Sequence, residues 1–146
     1  MESNPPSNPK IERMQVSVYT VPTETPESDG TFQWDKTSLV LVENVAGGKT
    51  GIGYSYADVA TAHLIDASLA PKLIGHDALA IGGAWRMMLE QIRNLGRPGI
   101  CSMAIAAVDN ALWDLKGKLL NLSVAALLGL VRPQSMAPPS SMRRVK

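Results

Sequence analysis

Cysteine is almost missing from these 146 residues: Cys101 is the single one. No intrachain disulfide can form, so no covalent cross-link holds the fold. Histidine is nearly as scarce. His63 and His76 are far apart and far from Cys101, which excludes the clustered spacing of a zinc site. Each reads as an ordinary surface or packed residue. Charged residues make up 18% of the chain, below the roughly 25% usual in soluble domains. With 45% hydrophobic residues, that balance points to buried faces and argues against disorder of the chain as a whole. Long apolar runs are missing as well. The uncharged run Leu119–Val131 falls short of the ~18 residues that suggest a membrane span. The N-terminus carries Pro5, Pro6 and Pro9 without an apolar stretch, so no signal peptide is expected. No membrane partner and a reducing, cytoplasmic setting are the expectation. Length excludes more: a complete (β/α)₈ (TIM) barrel needs about 200–250 residues.

The formal charge of +1 conceals an asymmetry. The segment Ile11–Leu130 holds nine basic and twelve acidic residues, and the basic excess belongs to the ends. Nucleic-acid binding needs a basic patch on the folded body, so no nucleic-acid partner is expected. Phosphate-binding glycine patterns are lacking too. Gly51 and Gly53 have no third glycine at the dinucleotide offset, and Gly48-Lys49-Thr50 lacks the earlier glycine of a phosphate loop. The Gly47-Gly48 pair reads as a turn.

What is present has a clear order. Residues 1–10 are polar and Pro-rich and read as a disordered tail. Met14, Val16 and Val18 alternate with polar partners, the period of a half-buried strand. Pro22–Asp35 reads as a long loop with a turn at Asp29-Gly30, ending in Phe32 and Trp34. Such loops are often functional, and the alternative is that the two aromatics anchor the loop to the core. Thr37–Val45 and Gly51–Tyr56 read as the second and third strands, joined by a turn at Ala46-Gly47-Gly48-Lys49. Asp58 is placed to N-cap a first helix ending near Pro71, and Asp77 a second carrying Ile81, Trp85, Met88, Leu89 and Ile92. The third helix, about Ile100–Leu120, has a stripe of Met103, Ala104, Ala107, Val108, Ala111, Leu112 and Leu115. Asn121 stops it, and Ser123 caps a short helix ended by Gly129. Residues 131–146 have three prolines, four basic residues and no acid, and read as a disordered basic tail. The expected fold class is α+β: a three-stranded antiparallel meander followed by a three-helix bundle on one sheet face.

Within the third helix, Ala104-Ile-Ala-Ala-Val-Asp-Asn-Ala-Leu-Trp-Asp-Leu-Lys-Gly-Lys118, followed by Ser123-Val-Ala-Ala-Leu-Leu-Gly129, forms a recognisable signature. It resembles the last N-terminal-domain helix of the mandelate racemase/muconate lactonizing enzymes of the enolase superfamily. The resemblance spans residues 11–130 and implies their N-terminal capping domain, without the barrel that follows it. In that family the barrel carries the chemistry: a Lys or His removes the proton α to a carboxylate, and Mg²⁺ stabilises the enediolate. The resemblance therefore implies a truncated relative, with a carboxylate or acid-sugar substrate and Mg²⁺ belonging to the intact enzyme. No cofactor and no catalytic or metal residue is expected in this chain. Asp109 and Asp114 lie five residues apart on one helix, about 140° around its axis, so they do not converge. A structural role is expected for both, pairing with Lys116, Lys118 or a neighbouring element. Capping domains of the family close two loops over the barrel mouth. By position these are Pro22–Asp35 and Gly51–Tyr56, making Phe32, Trp34, Tyr54 and Tyr56 the substrate-capping candidates. Core packing is the competing reading for the two tyrosines, which share a face. The alternative function is a non-catalytic dimerisation or binding module, a homo-oligomer or a partner for a separately encoded barrel.

Overall fold

The computed structural model describes residues 8–130. Three strands, β1 (Arg13–Ser28), β2 (Gln33–Ala46) and β3 (Lys49–Tyr56), form one antiparallel sheet in the order β1-β2-β3. The helices follow as α1 (Val59–Leu64), a π-helical turn (Ile65–Leu69), α2 (Ala70–Leu73), α3 (Ile81–Gln91), α4 (Ile100–Leu120) and α5 (Val124–Leu127). This is the expected meander and helical layer. The first expected helix is one continuous helical run broken by the wider π turn just before Pro71, whose ring nitrogen has no hydrogen to donate. The expected tails fall mostly outside the described residues, at 1–7 and 131–146.

Alternation decides which face of the sheet is buried. Met14 pairs with Asn44, Val16 with Val42 and Val18 with Val40, and Val40, Val42 and Ala46 have no exposed surface. Above them lie Ile65, Leu69, Leu73, Met88, Ile92, Leu112 and Leu115, all at most 2% exposed. Gly47 and Gly48 both have positive φ, 54° and 69°, the two-residue hairpin geometry that glycine adopts without strain.

The tightest contact in the fold is between β3 and α4. A Cβ on Gly51 would overlap the carbonyl of Ala111 and the backbone of Leu115. A Cβ on Gly53 would overlap the carbonyl of Ala107 and the amide of Ala111. The small residues Ala104, Ala107 and Ala111 are completely buried on the helix side. So the helix-facing positions Gly51 and Gly53 of β3 are glycines because helix backbone occupies the space of their side chains.

Four expectations are corrected by the structure. Pro22–Asp35 is not a loop. β1 and β2 continue through it as a ladder, with Glu27 opposite Trp34 and Ser28 opposite Gln33. A register shift between Pro22 and Glu27 absorbs the irregularity, and the prolines are tolerated because β1 is an edge strand. Asp77 does not N-cap α3, which starts at Ile81 after Ala80 without a side-chain cap. Its carboxylate instead accepts from the Leu79 amide at 2.8 Å and from Asn8 Nδ2 at 2.7 Å. The ordered chain also begins before residue 11. Lys10 bridges to Asp77, the Ala78 amide donates to the Pro9 carbonyl at 2.9 Å, and the Gly75 amide to that of Ile11 at 2.8 Å. Finally, Trp85 and Met103 lie off the buried stripes, 36% and 40% exposed.

Replacing Gly53 by Ala is expected to lower stability by about 1–3 kcal/mol or more, since overpacking here meets backbone rather than a movable side chain. Gly83→Ala, inside α3 with nothing within 4 Å of the added carbon, is expected to raise it by up to about 1 kcal/mol. Urea midpoints of the two variants check both signs.

Candidate functional site

Two pairs of aromatics, of which Phe32, Tyr54 and Tyr56 are exposed and Trp34 is half-buried, sit at the end of the sheet opposite the Gly47-Gly48 turn. β3 pairs with β2 only from Leu39 onward, so Gln33–Ser38 and the facing part of β1 project as a two-stranded ribbon. Its tip is held by one carboxylate. Asp29 Oδ1 accepts from the Thr31 amide at 2.9 Å, the Thr31 hydroxyl at 2.7 Å and the Phe32 amide at 2.9 Å. Gly30 completes the turn with φ 91°. Past the turn, Phe32 stacks on Trp34 with ring centroids 6.4 Å apart and planes 17° from parallel. The Trp34 indole N–H donates to Glu27 Oε2 at 2.8 Å, fixing the ring across the ribbon. Phe32 is 69% exposed, so this pair does not anchor the ribbon to the core.

Tyr54 and Tyr56 lie on β3 opposite Leu41 and Leu39. They meet edge to face with centroids 6.1 Å apart, and are 55% and 67% exposed. The shared face is thus the open one. Core packing fails as an account of them because Gly51 and Gly53 take the buried positions of the strand. Trp34, by alternation along β2, falls on the side of Val40 and Val42. The four candidates therefore share one end of the sheet but divide between its two faces. Composition hid how much else joins the tyrosines. Tyr19 lies opposite Leu39, so Tyr19, Leu39, Leu41, Ile52, Tyr54 and Tyr56 make one apolar outer face. The period-2 pattern of Leu39 and Leu41 against Ile52 and Tyr54 is the signal that could have revealed it.

The two helix carboxylates part company. Asp114 Oδ2 accepts from the Ile52 amide at 2.7 Å and from Lys118 Nζ at 2.7 Å, and Lys118 also donates to the Thr50 carbonyl at 2.8 Å. Both residues thereby cover the free edge of β3, the structural role expected of Asp114. Lys116 donates to the Leu79 carbonyl at 3.0 Å and lies 5.4 Å from the Trp113 ring centre. Asp109 is half-buried, and burial pushes its carboxyl above the ordinary aspartate value with no compensating bond. Among the described residues no three His, Cys, Asp or Glu side chains come together as a metal site. With Asp114 already committed to Ile52 and Lys118, these residues do not fit the divalent ion implied by the resemblance. No helix of the described residues is long and apolar enough to cross a membrane.

A model of the mandelate racemase/muconate lactonizing enzyme N-terminal domain matches residues 13–129, the span from the start of β1 to the end of the α5 region. The chain belongs to this family. A mandelate racemase/muconate lactonizing enzyme-like protein of Rubrobacter xylanophilus superposes with a TM-score of 0.79 at 51% identity, over 82% of this chain and 33% of that one. The L-talarate/galactarate dehydratase of Salmonella typhimurium LT2, solved with Mg and L-lyxarohydroxamate, superposes with a TM-score of 0.74 at 29% identity, over 86% of this chain and 35% of that one. In sequence, the 3,6-anhydro-alpha-L-galactonate cycloisomerase of Streptomyces coelicolor is 36% identical over 73% of this chain and 31% of its own length. The chain spans about a third of the length of the relatives it matches. As a family member it is an enolase-superfamily N-terminal domain whose relatives include dehydratases and cycloisomerases.

The Asp29 turn gives a pH test. Three bonds, the Thr31 hydroxyl first, lower its carboxyl from 3.8 to about 2. A depressed folded value means the turn keeps its full hold above pH 3.8 and loses it as pH falls through about 2. The Thr31 and Phe32 amide resonances are expected to titrate with a midpoint near 2, and a midpoint near 4 would contradict the geometry.

Proposed function

We propose that residues 13–129 serve as the cap of a Mg-dependent enzyme that removes the proton α to a carboxylate, in the manner of the acid-sugar dehydratases and racemases. The ribbon tip and the end of β3 close over the bound substrate. Phe32, Trp34, Tyr54 and Tyr56 exclude water and shape the mouth of the site. The observation that carries this reading is the ribbon itself. It outruns β3 and presents a stacked aromatic pair, Phe32 exposed and Trp34 half-buried, at the same end as the exposed tyrosines. The base and the metal ligands are supplied from outside residues 8–130, so this chain alone is expected to give no turnover. A second reading, a non-catalytic module that dimerises or pairs with a separately supplied barrel, is favoured by the apolar outer face around Leu39 and Leu41. Light scattering on the eluting chain separates the two: a monomer at all concentrations counts against self-association.

The direct test grafts residues 13–129 onto the Salmonella dehydratase in place of its matching third. The graft is expected to retain Mg-dependent dehydration. Phe32→Ala with Trp34→Ala is expected to reduce kcat/KM about 10-fold or more, the loss of one good apolar contact or two, at unchanged melting temperature. A folded graft without turnover, or one indifferent to all four aromatics, would contradict the proposal.

A further inference from the structure

Away from the aromatic end, the link between α3 and α4 forms a groove that the capping role does not use. Its larger part is a cleft of about 210 Å³ lined by Leu89, Ile92, Arg93 and Arg97. A narrower cleft of about 40 Å³, lined by Trp85, Leu89, Arg97, Ser102 and Ile105, continues from it through the shared Leu89 and Arg97. Ile92 and Ile105 form a dry floor, each 2% exposed, and Trp85 stands at one wall with 36% of its surface open. No acidic residue lines either cleft. The nearest acid on α3, Glu90, is paired with Arg86 at 2.9 Å. Arg93 and Arg97 have no carboxylate partner among the described residues. The link is braced rather than loose. The Ser102 hydroxyl donates to the Arg97 carbonyl at 2.5 Å, the Leu95 amide to the Ile92 carbonyl at 2.8 Å, and Gly96 and Gly99 take positive φ.

A groove of this size is below the roughly 300–1,000 Å³ of small-molecule sites. It suits one large side chain of a partner. Exposed Trp and Arg beside a dry floor are the residue types that dominate binding energy at protein interfaces. Two uncompensated guanidiniums select for carboxylates, which Arg can hold bidentately. We infer that the α3–α4 groove is a docking site for an acidic segment of a partner protein, one apolar residue seated against Trp85, Leu89 and Ile92 and neighbouring Asp or Glu side chains held by Arg93 and Arg97. Charge complementarity decides the occupant: a basic or neutral apolar segment would leave both arginines unmatched, and a purely acidic one would leave the floor wet.

Peptide phage display against the full chain tests this, with an Arg93→Glu/Arg97→Glu double variant as the counter-target. Both arginine side chains are exposed, so the variant is expected to fold, and its circular dichroism melt is compared with the parent's. The expected outcome is enrichment of peptides that place Leu, Phe or Trp beside two or more acids. A synthetic 12-residue copy should bind the parent, shift the amide resonances of Leu89 and Arg97, and weaken at least 10-fold on the double variant and on Trp85→Ala. Raising salt should weaken it as well. Enriched peptides without acids, peptides that bind parent and double variant alike, or shifts confined to the outer sheet face would each overturn the inference. So would a failure to enrich any sequence.

Discussion

The fold depends on how closely helix α4 can approach strand β3. Helix backbone at Ala107, Ala111 and Leu115 occupies the volume where side chains at 51 and 53 would stand. Only glycine permits that distance, and only a helix surface of Ala104, Ala107 and Ala111 can exploit it. The reward is a close seam, in which dispersion contacts and apolar burial accumulate along the length of β3. The cost is local. Glycine is a poor strand residue and provides no side chain to hold the edge. Asp114 and Lys118 compensate by bonding the outward Ile52 amide and Thr50 carbonyl. The same residue pair thus joins helix to strand and closes the free edge of the sheet.

Everything at the aromatic end follows from this seam. With glycines inward, the alternate positions Ile52, Tyr54 and Tyr56 have to face outward. There they meet Leu41 and Leu39 and form the open apolar face. Because β3 ends at Tyr56, β1 and β2 run on alone. The ribbon is then stiffened by its own devices: the Asp29 turn, the Phe32–Trp34 stack and the Trp34–Glu27 bond. A folded body with one projecting, aromatic-tipped ribbon is the form that the proposed capping role requires.

Much of this was legible in the sequence, and the failures have physical causes. The meander, α4 with its stop at Asn121, the Asp58 and Ser123 caps and the Gly47-Gly48 turn all rest on local chemistry, which composition and spacing encode directly. The ribbon was misread as a loop because Pro22, Pro26 and Asp29-Gly30 are turn formers. Their cost vanishes on an edge strand, and whether a strand is an edge is not a local property. Asp77 looked like a helix cap because nothing nearby in sequence announces Asn8, 69 residues away, as its partner. Tyr54 and Tyr56 were correctly paired on one face, but which face was decided by Gly51 and Gly53. Their meaning appears only when Ala107 and Ala111 are laid against them. The Arg93–Arg97 groove had no motif to mark it, since it is made by the crossing of two helices.

The closure of the β3 edge is the point most open to direct measurement. Native-state hydrogen exchange of the Ile52 amide reads it residue by residue. The account predicts that this amide, on an edge strand and in a residue 45% exposed, is protected as strongly as the amides of Val40 and Val42 in the central strand. It also predicts that Asp114→Ala removes protection at Ile52 while the central strand keeps its own. Rapid exchange of Ile52 in the unaltered protein, or protection indifferent to Asp114, would contradict the claim that α4 holds β3 by this seam.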